Sequence, residues 1–178
     1  MKIFLIFAVL VVVCYNEASA HTCNGQILQK DVDYSRLRGE WWQAYYTQDS
    51  RYSQFDCYDM RIIGLNRRYK QFYVQEIIQE TRPKMGTIQQ ILLNTMCWEN
   101  CVSDREININ GHIATDYRNY MIIHTCVEGR PIIDIQLRKR IKKLPCRKIQ
   151  EIAKILEKIG VNFFSLQERD RTTCPSPK

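Results

Sequence analysis

Residues 36–47 read RLRGEWWQAYYT, with a glycine at 39, indoles at 41 and 42 and phenols at 45 and 46. In an extended strand side chains alternate, so Trp41, Gln43 and Tyr45 share one face, and Trp42, Ala44 and Tyr46 share the other. Gly39 lets the chain turn tightly into such a strand. The question raised by the stretch is what could cover two aromatic faces at once.

Outward from this stretch the chain keeps strand character as far as about Arg140. EWWQAYYT (40–47), QFDCYDMRII (54–63), YKQFYVQEIIQ (69–79), GTIQQILLN (86–94), REININ (105–110), NYMIIHTC (119–126) and PIIDIQLRKR (131–140) are separated by breakers such as GLNRR, TRPKM and EGRP. Short strands at near-regular spacing predict an antiparallel sandwich or barrel. The period then changes. Pro145 stands at a helix start, Ile149, Ile152, Ile155, Leu156 and Ile159 recur at three- and four-residue steps, and Gly160 is placed to end the run. This predicts one amphipathic helix over about 146–159, made to lie outside the strands. VNFFSLQ then offers a short further strand in a C-terminal extension, 161–178.

At the other end, Lys2, the apolar run Ile3 to Val13 and Ala18-Ser19-Ala20 read as a secretory leader over 1–20. The run is too short for a membrane span, and no later stretch approaches the roughly 20 apolar residues one needs. The expected product is a secreted, extracellular single domain over 21–178, long enough for its own core. Without Cys14 the cysteines are Cys23, Cys57, Cys97, Cys101, Cys126, Cys146 and Cys174, an odd number. Dispersed cysteines in an oxidising compartment read as disulfides, with at least one thiol free or bonded to another chain. No paired C-x-x-C or H-x-H spacing supports a metal. His21, His112 and His124 are scattered.

The formal charge is +7, but acidic residues are interspersed and no nucleic-acid-binding framework appears, so no nucleic-acid partner is expected. No catalytic triad, carboxylate pair, phosphate loop or zinc signature emerges, and neither an enzyme nor a cofactor is predicted.

Three short motifs narrow the fold further. Gly39-Glu40-Trp41 opens the first strand, Thr115-Asp116-Tyr117 lies in the turn before NYMIIHTC, and Arg140 ends the last strand before the helix. In that order and with that helix the chain resembles the lipocalin family, most closely the branch of apolipoprotein D, Lazarillo and the bilin-binding proteins. The resemblance implies an all-β, eight-stranded up-and-down antiparallel barrel over about 39–140, with the helix packed outside. It implies that Trp41 plugs one end of the barrel under the guanidinium of Arg140. A plug of this kind is worth about 1 to 2 kcal/mol beyond burial of the indole. Trp42 then faces outward and Tyr45 inward. It also implies a cavity lined by Tyr45, Ile62, Phe72, Val74, Glu76 and Gln136, with Arg138 available to pair with Glu76. A register slip of one residue would instead turn Ile133, Ile135 and Leu137 inward.

The family's disulfides, carried over, are Cys23–Cys126 and Cys57–Cys174, each closing a loop worth up to about 4 to 5 kcal/mol in the chain-entropy model. Cys97 and Cys101 are close enough to pair, leaving Cys146 free for a disulfide-linked partner, although a bond from either to Cys146 competes. His124 is where a haem-binding relative could place an axial ligand. The basic run LRKRIKK, Leu137 to Lys143, falls at the closed end and suits an anionic surface or receptor. Two functions remain open. One is a carrier of a small hydrophobic ligand such as a lipid, retinoid, sterol, pheromone or tetrapyrrole. The other is a protein-binding module, such as a protease inhibitor, with a filled or vestigial cavity.

Overall fold

The computed structural model describes residues 28–68, 71–82, 85–97, 112–138, 141–172 and 174. Among the described residues eight antiparallel strands form one sheet: β1 (Gly39–Tyr46), β2 (Cys57–Asn66), β3 (Gln71–Arg82), β4 (Gly86–Cys97), β5 (His112–Thr115), β6 (Tyr120–Val127), β7 (Arg130–Arg138) and β8 (Gln167–Glu168). The spatial order is β4-β3-β2-β1-β7-β6-β5, with β8 pairing β1 off that path. First and last long strands are therefore neighbours, as an up-and-down barrel requires. The expected leader, Cys23, the REININ segment, Cys101 and Arg140 lie outside the described residues. The stretch VNFFSLQ, expected as a strand, instead forms a 3-10 turn over Phe163–Ser165 and reaches the two-residue β8 only at Gln167, and β5 lies a little beyond REININ.

The alternating side chains sort the core into two layers. One gathers Trp41, Met60, Ile62, Phe72, Val74 and Met121 inside the sheet's curve. The other gathers Trp42, Ile122, Ile133, Ile135, Leu137 and Leu144 with Ile152 and Leu156 of helix α1 (Cys146–Glu157). This division answers the question raised by the tandem indoles. Trp41 belongs to the interior and Trp42 to the layer under α1, where its indole N–H donates to the Ile141 carbonyl at 2.8 Å. The helix buries Ile152 and Leu156 completely, as the three- and four-residue spacing predicts. Just past its end, Gly160 at a φ of +74° lets the Val161 N–H return to the Leu156 carbonyl at 3.0 Å.

The register of β7 leaves Gln136 opposite Gln43 of β1 and Met121 of β6. Ile133, Ile135 and Leu137 pack under the helix, opposite to the slipped alternative. Strand β1 itself breaks alternation. Its pairing with β7 shifts between Gln43 and Tyr45, a β-bulge that turns both Ala44 and Tyr45 to the helix side.

Candidate ligand-binding site

One end of the sheet is closed. Trp41 is fully buried, and its indole N–H donates to the Leu37 carbonyl at 2.8 Å. The guanidinium carbon of Arg138 lies 3.8 Å from the Trp41 ring centroid. The expectation that Arg140 would cover this ring is therefore corrected to the arginine two residues earlier. Arg138 shares its strand face with Gln136 and lies within β7. Arg138 also donates to the carbonyls of Arg38 (2.7 Å), Arg36 (2.8 Å) and Tyr117 (2.9 Å). It is thereby fixed at the closed end and does not serve Glu76.

The β5–β6 turn completes this end. Asp116 accepts backbone N–H bonds from Asn119 and Tyr120 and an ion pair from Lys148 of α1 at 2.9 Å. Burial works against ionisation here. The bonds from Asn119, Lys148 and Tyr120 outweigh it and hold the Asp116 carboxyl down to about 2. Thr115 closes the turn through its hydroxyl, which donates to the Tyr120 carbonyl at 2.6 Å and accepts from the Tyr117 N–H. Tyr117 sits in the left-handed region at φ +63°, with Arg36 stacked 3.9 Å from its ring.

Toward the other end the interior opens into a cavity of about 370 Å³. Tyr52, Tyr58, Met96, Ile123 and Ile132 supply its apolar and aromatic wall. Arg51, Asp134 and Gln136 supply polar groups. Ile62, Phe72 and Val74, expected to line the cavity, instead belong to the interior core with Trp41 and are not part of the cavity wall. Tyr45 is not in the interior at all. The bulge sends its ring against Phe163, with centroids 5.0 Å apart, and its hydroxyl toward Glu168. The assignment of Tyr45 to the cavity is thus corrected. Strand parity fails one residue past an irregularity that no side-chain pattern announces.

Glu76 is buried and fully engaged. Tyr58 donates to it at 2.8 Å, Arg51 pairs with it at 2.9 Å, and Tyr52 and the Asn94 amide donate to it as well. Arg51 thus takes the place expected of Arg138, because the loop after β1 carries it over the mouth. Burial, reinforced by the Glu76 charge, pushes the Tyr58 phenol well up. Tyr52 and Tyr58 stack with centroids 3.7 Å apart.

A second polar group centres on Asp134. Ser50 donates to its Oδ1 at 2.7 Å, and the Gln43 amide donates to the same oxygen. Arg169, from the segment after β8, donates to the Gln43 amide oxygen (3.0 Å from Nε) and to the Tyr52 carbonyl (2.8 Å). Burial pushes the Asp134 carboxyl up to about 6, against the hydrogen bonds from Ser50 and Gln43 and the charges of Arg51 and Arg169. Tyr52, Tyr58 and Asp134 are not among the site residues that the sequence predicts. Tyr58 has the parity of Ile62, and Asp134 that of Gln136, so both were readable in principle. Tyr52 sits in a loop without period and was not.

His124 is buried on the face of β6 that Ile122 presents to the helix layer, away from the cavity, so it is not placed as an axial ligand there. Among the described residues no group of three His, Cys, Asp or Glu side chains is placed to hold a metal ion. Cys57 and Cys174 form a disulfide with Cα atoms 5.7 Å apart. Cys126 is also disulfide-bonded, and Cys146 is a free, exposed thiol. The pairing expected of Cys97 with Cys101 lies outside the described residues.

No family model matches the chain, and no curated protein matches it in sequence. Solved structures do. A major allergen from cockroaches, Per a 4, is 15% identical over 84% of this chain and 95% of that one, at a TM-score of 0.56. Lobster apocrustacyanin A1 is 13% identical over 76% and 78%, at 0.53. A protein described as biogenic amine-binding is 14% identical over 84% and 87%, also at 0.53. At such identities the likeness is one of fold.

Proposed function

We propose that this chain, which has the lipocalin fold, is an exported carrier that holds one small hydrophobic ligand inside its sheet. The observation that supports this most is the interior volume. About 370 Å³ remains open beside Met96, Ile123 and Ile132, on a molecule whose opposite end is plugged by Trp41 and Arg138. A concave, mostly apolar site with a few placed polar groups is the usual form of a small-molecule pocket. A protein-binding module with a filled interior would have closed this space with bulky side chains. That a protein of the same fold is described as biogenic amine-binding is in keeping with a small-molecule role. Lys142 and Lys143 are exposed just after β7, at the plugged end. They would serve a salt-sensitive contact with an anionic surface, and Cys146 a disulfide to another chain.

Native mass spectrometry of the secreted protein, followed by organic extraction, tests the carrier reading. One small molecule at 1:1 stoichiometry is the expected result. An apo mass unchanged against a panel of lipids and pigments would overturn it in favour of the protein-binding module.

A further inference from the structure

The polar groups of the cavity are unequally used. Among the described residues each arginine near it is occupied: Arg51 on Glu76 and over the Tyr52 ring, Arg169 on Gln43 and the Tyr52 carbonyl. At the rim, Arg130 is paired with Asp49 at 3.0 Å. Glu76 receives four donors and has little left to offer. Gln136 differs. It is fully buried and lines the cavity, yet neither its amide oxygen nor its amide nitrogen has a hydrogen-bond partner. Asp134, two residues away on the same face of β7, also lines the cavity. Both of its described bonds fall on Oδ1 and none on Oδ2. Two residues of strand separate their Cα atoms by about 7 Å, within reach of one ligand head group.

Burying an amide without partners is costly unless something in the cavity completes it. We infer that Asp134 and Gln136 form a head-group subsite, and that the ligand is a compact amphiphile whose polar head donates hydrogen bonds, an ammonium or hydroxyl group, rather than a carboxylate or a plain hydrocarbon. Asp134 accepts from the head through Oδ2, and Gln136 offers an acceptor and donors beside it. The stacked pair Tyr52–Tyr58 and the side chains of Ile123 and Ile132 hold the body. A carboxylate head would meet the carboxylate of Asp134 with no uncommitted cation beside it among the described residues. A methyl head would leave Gln136 unsatisfied.

This rests on the carrier reading, and the test separates the two. Four probes share a phenylalkyl body and differ at the end: 4-phenylbutylamine, 4-phenylbutanol, 5-phenylpentanoate and pentylbenzene. Their affinities are measured by calorimetry at pH 7.5 on the full secreted protein, alongside a neutral apolar fluorescent dye. The amine and the alcohol should bind at least about tenfold tighter than the other two. Gln136→Met, which removes no bond made within the protein and relieves an unsatisfied buried amide, should cut that preference severalfold without lowering the melting temperature. Asp134→Asn should abolish the preference of the amine over the alcohol. Equal affinities across the four heads, with the dye still bound, would overturn the subsite and leave the carrier standing. Tighter binding of the carboxylate would do the same. Failure of every probe and of the dye would remove the carrier reading and the subsite together.

Discussion

Arg138 and Trp41 face each other at the closed end, guanidinium over indole at 3.8 Å, and the same arginine ties together the carbonyls of Arg36, Arg38 and Tyr117. One side chain thus joins the segment before β1, the β5–β6 turn and the last long strand. Trp41→Ala should lower stability by about 3 to 5 kcal/mol, as for a buried large aromatic. Arg138→Lys should recover little of the loss seen in Arg138→Ala. An ammonium cannot span three carbonyls and lie flat on a ring together. Chemical denaturation of the three variants checks both statements, and full rescue by lysine would contradict the assigned geometry.

Gly39 is held to glycine for two reasons at once. Its φ is +108°, and a β-carbon there would stand 3.1 Å from Nη1 of Arg138. Gly39→Ala should cost about 1 to 3 kcal/mol, because backbone strain adds to displacement of the guanidinium. Combining it with Arg138→Ala should give less than the sum of the two single losses, as expected for residues in direct contact. Additive losses would separate the glycine from the arginine.

The Cys57–Cys174 disulfide fastens the tail after β8 to the start of β2, 117 residues earlier in the chain. Arg169 and Arg171 lie in that tail, Arg171 stacked 4.4 Å from the Trp42 ring. Cys57→Ser should lower stability by up to about 4 kcal/mol. It should also open the tail to protease beyond residue 168 while the strands resist. Unchanged cleavage would mean that Arg169 and Arg171 hold the tail without the sulfur bridge.

How far residues could be read depended on periodicity. The separation of Trp41 from Trp42 onto opposite faces and the buried stripe of the helix follow from periods of 2 and 3.6, which side chains report directly, whereas the inward course of Ile62, Phe72 and Val74 was implied by the family resemblance. Tyr45 was misplaced because a bulge adds one residue to a strand without altering its composition. The arginine of the plug was misplaced by one alternation step because the end of β7 is marked by neither glycine nor proline. Tyr52 and Arg51, which frame the mouth, come from an aperiodic loop whose position is set by Glu76, some 25 residues onward. Nothing local in the sequence points to that partner.

Asp134 and Asp116 should leave opposite marks on the pH dependence of stability. The folded value of Asp134, about 6, lies above its ordinary 3.8, so between about pH 4 and 6 the folded chain holds a proton that the unfolded chain has released. Its contribution therefore becomes less favourable as pH rises through that window, by roughly 3 kcal/mol at most. The surrounding groups are Ser50 and Gln43, which bond it, and Arg51, Arg169 and the Tyr58 phenol. Asp116 runs the other way. Its folded value of about 2 lies below 3.8, so its stabilisation is present above about pH 4 and is lost as pH falls toward 2, by roughly 2 kcal/mol. Melting temperatures followed from pH 2 to 8 should show Asp134→Asn flattening the upper window alone and Asp116→Asn the lower one alone. An unchanged slope between pH 4 and 6 in Asp134→Asn would mean that water or a bound head group already satisfies the carboxylate in the cavity.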